Sequence, residues 1–150
     1  MLPRVPTDAP AALLNPLDHR IGYQLRRASS LLMADLAERL AALGLSPTEA
    51  SVLVVIARNG APRQSDIGRL LAIKRANMAP IASTLEKKGL IIREAFDGRS
   101  HGLRPTARGA ALADQAMAVM IAHEQHFFGS LPADGAAGFR QLLAGLRING

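Results

Sequence analysis

The segment from Gln64 to Thr106 restricts the possible folds more than any other part of the chain. QSDIGRLLAI, KRANMAPIASTLEKKG, LIIREAF, DGRS and HGLRPT follow one another. They spell a short helix, a turn, a second and basic helix, a strand, a charged tip and a return strand. That order is a helix-turn-helix followed by a β-wing, an arrangement in which the second helix can enter a major groove. From Arg58 to Arg108 there are eleven Lys/Arg against four Asp/Glu, and elsewhere seven against eight. The segment thus carries +7 and the remainder −1, so the whole net charge of +6 sits on one piece. Such confinement is the electrostatic footprint of a phosphate-binding surface. The plainer reading is a solvated basic face.

With 150 residues, 49% of them hydrophobic, the chain can bury one real core but not two independent ones. No cysteine is present, which excludes disulfides, thiolate metal sites and thiol-based sensing. Residues 1–16 hold four prolines, at positions 3, 6, 10 and 16, and no charged lead into a long apolar run. They read as a loose arm rather than a signal peptide. No apolar run approaches the roughly 18 residues of a membrane span, so the expected location is the cytoplasm, without membrane contact.

Leu17, Ile21, Leu25, Leu32, Leu36, Leu40 and Leu43 recur at three- and four-residue steps between charges, which predicts an amphipathic helix over about 17–44 ended by Gly44. Ser46-Pro47-Thr48-Glu49 is a capping box with proline at the first helical position, and it starts a second helix running to about Arg58. A short helix from Gln64 to about Leu71 and a connection at Ala72-Ile73 precede the basic helix, which Gly89 caps. The strand from Leu90 turns at Asp97-Gly98 and returns through Leu103. A long helix follows from Thr106 to about Phe128. Leu131-Pro132 interrupts it, and a last helix carries Phe139, Leu142, Leu143 and Leu146.

The expected fold class is therefore mainly α (α+β): a winged helix-turn-helix over about 46–106, flanked by long helices over about 17–44 and 106–148. All of 17–150 forms a single domain. The flanking helices hold more apolar surface than one small winged module can cover. A second copy related by a two-fold axis would cover it, giving a homodimer with two reading heads.

With these residues in view, the chain resembles the MarR family of winged helix-turn-helix regulators over about residues 17 to 148. The marks are LSPTEASVL at 45–53, EKKGLI at 86–91, and DGRS followed by PTARG between 97 and 109. Asp97, Arg99, Thr106 and Gly109 fit the family's wing pattern, while Pro105 replaces its leucine at the cost of a strand hydrogen bond. The resemblance implies that Arg99 enters the minor groove, where negative potential favours a guanidinium. Asp97 would hold the wing tip.

Within the reading helix, Pro80 stands where relatives place a long polar residue, and an interior proline costs about 3 kcal/mol. If Asn77 is the N-cap, Pro80 falls in the first turn, where no backbone donor is needed. Lys74 and Arg75 then lie on the lead-in, aimed at phosphates or the groove edge. Asn77 is read either as that cap, which the proline favours, or as a contact to adenine. Ser83 and Lys87 follow along the helix, and Arg63 and Ser65 are expected at the DNA backbone.

The resemblance also implies a repressor of double-stranded DNA released by a small effector. His19, Tyr23, Arg26 and Arg27 on the first helix would form part of its site, and their arginines suit an anionic aromatic or thioester ligand. Tyr23 can equally be an ordinary core or interface residue, and Arg26-Arg27 surface ion-pair donors. His123 and His126 share a helix face but lack a third ligand, so no metal or other cofactor is expected. No phosphate loop, activated nucleophile or paired acids indicate an enzyme. The rival function is a winged-helix module docking an acidic protein partner.

Overall fold

The computed structural model describes residues 13–95 and 101–146, in two compact units divided between Leu32 and Met33. The described elements are α1 Ile21–Ala41, α2 Pro47–Arg58, α3 Gln64–Leu70, α4 Arg75–Lys87, β1 Ile91–Ala95, β2 His101–Pro105, α5 Ala107–Phe128 and α6 Ala133–Gly145. This is the order read from the sequence. The wing-tip residues Asp97, Gly98 and Arg99 lie outside the described residues.

The first unit opens on a turn. Asn15 accepts the Leu17 N–H at 3.1 Å, and its amide donates to Asp18 Oδ1 at 2.6 Å and Tyr23 Oη at 3.1 Å. An asparagine followed by Pro16 can satisfy the local backbone this way in place of a helical turn. The helix expected from Leu17 therefore begins at Ile21. Leu13, Leu14, Ile21 and Leu31 of this unit are exposed.

In the second unit, Gly44 takes φ +68° and Leu45 N–H reaches back to Leu40 O at 3.3 Å, so α1 closes at Ala41 with a Schellman-type turn. Ser46 and Glu49 exchange both hydrogen bonds of the capping box at the start of α2, with Pro47 at its first position. Ala50, Val52, Leu53 and Ile56 are fully buried, making α2 the centre of the core. Ile67, Met78, Leu85, Leu90, Ile91, Leu103, Ala113 and Ala116 pack into the same cluster from the surrounding elements.

The wing strands pair antiparallel with Ile91 opposite Pro105 and Ala95 opposite His101. Pro105 keeps its place at the strand end, and the next backbone donor, Thr106 N–H, bonds Leu90 O at 3.0 Å. On the other edge of β2, Arg63 bridges Gly102, and Leu103 N–H donates to Pro62 O at 2.9 Å. The wing root is thereby fastened to the chain entering α3. Thr106 Oγ1 donates to Gly89 O at 2.8 Å and accepts the Gly109 N–H at 3.0 Å, capping α5. A Cβ at Gly109 would collide with the Leu90 carbonyl, which is why a glycine stands there. None of the residues of α6 is buried; Leu142 is largely exposed, while Phe139, whose ring centroid lies 6.3 Å from that of Phe128, and Leu143 are partly covered.

Candidate nucleic-acid interface

α3 and α4 are held at a fixed spacing by a four-residue connection. Ala72 takes φ +53° there, and Ile73 N–H bonds Gly68 O at 2.8 Å. A Cβ at Gly68 would lie 3.1 Å from Ile73 O, so the glycine permits this close approach. Met78, Ala82 and Leu85 anchor α4 in the core. Gly89 at φ +70° and the Leu90 N–H to Leu85 O bond of 3.0 Å end it, as its sequence signal indicates.

The start of α4 differs from expectation. Lys74 is the N-cap residue, without a side-chain cap, and Arg75 is already helical. Asn77 is the third helical residue, and its backbone N–H reaches Lys74 O at 2.9 Å. It is therefore not the cap. Pro80 consequently lies in the second turn, not the first, and removes the donor that would have met Ala76 O. Both residues are exposed, so water can take that carbonyl. Burial of Met78, Ala82 and Leu85 holds the helix across the missing bond.

Arg63, Ser65, Arg69, Lys74, Arg75 and His101 surround a groove of about 990 Å³ between α3, the head of α4 and the wing root. Four of the sequence-derived contact residues thus converge: Arg63, Ser65, Lys74 and Arg75. Arg69 and His101 were not singled out from the sequence. Arg69 belongs to the same basic segment, but only the Arg63 to Gly102 bridge brings His101 to the rim. Asn77 and Lys87 are exposed and Ser83 is half-buried, and none of the three lines this groove. Ion pairs engage Arg69 with Asp66, Arg93 with Glu86 and Arg104 with Glu94. Arg58 pairs with Asp114 and Lys88 with Glu49, so among the described residues of the basic segment Arg63, Lys74, Arg75, Lys87 and Arg108 have no ion pair, and such uncompensated charge is what a polyanion requires.

On the first unit, His19, Arg26 and Arg27 are exposed and Tyr23 is half-buried. The Arg26 guanidinium lies 5.6 Å from the Tyr23 ring centroid. His123 is buried in the second unit, 3.5 Å from Asp35. No group of three or more metal-ligating side chains occurs among the described residues. Asp35 is held below the usual carboxylate range by its hydrogen bond from Arg39, against burial and with help from the charges of Arg39, His123 and His126.

A model of the MarR family matches residues 45–101. The transcriptional repressor CouR, solved on a 23-mer DNA duplex, superposes with a TM-score of 0.82 at 30% identity, covering 89% of this chain and 97% of CouR. The chain belongs to the MarR family. A probable transcriptional regulator from Pseudomonas aeruginosa is 31% identical, with a TM-score of 0.77 and coverage of 85% and 97%. CouR bound to p-coumaroyl-CoA gives a TM-score of 0.81 at 26% identity, with coverage of 93% and 100%. A MarR-family protein of Mycobacterium tuberculosis in complex with salicylic acid gives 0.66 at 29% identity, with coverage of 85% and 96%. As a MarR-family member, the chain is a winged helix-turn-helix transcriptional regulator.

Proposed function

We propose that this regulator is a repressor that binds a palindromic operator as a homodimer and is released by a small anionic aromatic or thioester ligand. The observation that carries the reading is the groove of Arg63, Lys74 and Arg75 between reading helix and wing, in the only strongly basic segment of the chain. α4 would enter the major groove and Arg99 the adjacent minor groove, with Asp97 holding the wing tip and Asn77, Ser83 and Lys87 meeting bases or phosphates along the helix. The uncovered apolar side chains of α6 and those of the first unit supply surface for a second copy. No helix among the described residues is long and apolar enough to cross a membrane, and the proposed location is the cytoplasm.

The ligand class rests on relatives solved with salicylic acid and p-coumaroyl-CoA, and on the cationic Arg26 beside Tyr23, with His19 and Arg27 exposed on the same unit. Two measurements test the proposal. Binding to the DNA upstream of the chain's own gene should exceed binding to random duplex and should weaken steeply with salt. Equal binding to both duplexes would refute the repressor reading and favour docking to an acidic protein. Salicylate and p-coumaroyl-CoA should each be titrated for a rise in melting temperature and loss of the DNA complex.

A further inference from the structure

The first two turns of α4 offer methyl and methylene groups to solvent where a reading helix ordinarily offers hydrogen-bonding ones. Met78, Ala82 and Leu85 point into the core. With 3.6 residues per turn, Ala76 and Pro80 fall on the other side of the helix and Ala79 at the edge of that side, and all three are exposed. Arg75 and Asn77, also exposed, flank this apolar stripe, and the next polar groups along it are Ser83 and Lys87.

In a helix-turn-helix it is the N-terminal part of the second helix that meets base edges. Given the reading that α4 enters the major groove, on which this inference rests, the base pairs beneath these two turns receive no donor or acceptor from the stripe. An adenine N6, cytosine N4, guanine O6 or thymine O4 lying directly under the stripe would lose water without replacement. One major-groove group gains from such a surface, the C5-methyl of thymine. We propose that Ala76, Ala79 and Pro80 recognise thymine methyl groups, so that each operator half-site carries thymines beneath the first two turns of the helix and purine-reading contacts fall to the flanking Arg75 and Asn77.

Deoxyuridine tests this without altering the protein, because it removes only the methyl and keeps Watson–Crick pairing. The full chain is used to select sites from a random duplex library. The selected duplex is then rebuilt with deoxyuridine for thymidine, either within the conserved positions or outside them. The expected result is thymine enrichment in each half-site and a loss of about fourfold in affinity per methyl, from about 0.8 kcal/mol per buried carbon. Substitution outside those positions should change nothing, and the salt slope should be unaltered. Ala79→Ser, at an exposed position, should shrink the uracil penalty. A selected site that binds equally with uracil would overturn the inference and leave DNA reading intact. Failure to enrich any sequence would remove the reading beneath it as well.

Discussion

The Lys88 ammonium lies 3.0 Å from both carboxylate oxygens of Glu49 and 2.8 Å from the carbonyl of Gly44. One side chain at the end of the reading helix thus joins the turn after α1 to the first turn of α2. Glu49 is 14% exposed in its side chain, so water cannot fully replace the ammonium. Lys88→Met should destabilise the fold by about 1–3 kcal/mol, the range for a mostly covered charged group losing its partner. Urea denaturation measures it. An unchanged midpoint would show that the contact contributes only geometry.

Acid should weaken the fold through the same carboxylate. Burial pushes Glu49 up, but the Ser46 backbone N–H, Lys88 and the Ser46 hydroxyl outweigh it, and the net displacement is downward. Asp35 is displaced downward as well. For a carboxyl depressed in the folded state, the stabilisation is complete above its unfolded value and is lost as pH falls towards the folded one. The unfolding midpoint should hold from about pH 7 to 5 and fall below about pH 4.5. Glu49→Gln should flatten part of that fall.

Asn77 caps nothing, so replacing it should not loosen α4. Asn77→Ala is expected to change stability by no more than about 0.5 kcal/mol, since alanine is the better helix former. Its effect belongs in DNA affinity and base preference, read by titrating duplexes that vary the flanking base pairs. A melting temperature lowered in proportion to binding would return Asn77 to a structural role.

Ala72 holds a left-handed conformation at φ +53°, in which an L side chain is disfavoured by roughly 1–2 kcal/mol. Ala72→Gly relieves that, partly offset by the greater freedom of glycine in the unfolded chain. A net gain of about 0.5–1 kcal/mol is expected. Thermal denaturation of the variant checks the sign.

Much of this architecture was legible because the signals are local. Ser46-Pro47-Thr48-Glu49 carries its own hydrogen-bond partners, and Gly44 and Gly89 supply the positive φ their turns require. What escaped depends on partners distant in sequence or on competition between two local chemistries. Asn15 diverts the chain into a turn that apolar periodicity through Leu17 does not reveal. Pro80 demands a cap only if its helix is considered alone, and the burial of Met78, Ala82 and Leu85 removes that demand. His101 reaches the basic groove through a strand bridge that no spacing rule encodes.

That bridge, from Arg63 to Gly102, makes the wing root and the entry to α3 one piece of backbone. The interval between the entry to α3 and the wing root is therefore a ruler cast during folding, and on the proposed docking little ordering entropy would remain to be lost there. On the proposed docking, a double helix of the wrong groove spacing would have to deform itself to fit, and the stiffness of the duplex would enter its affinity beside the base contacts.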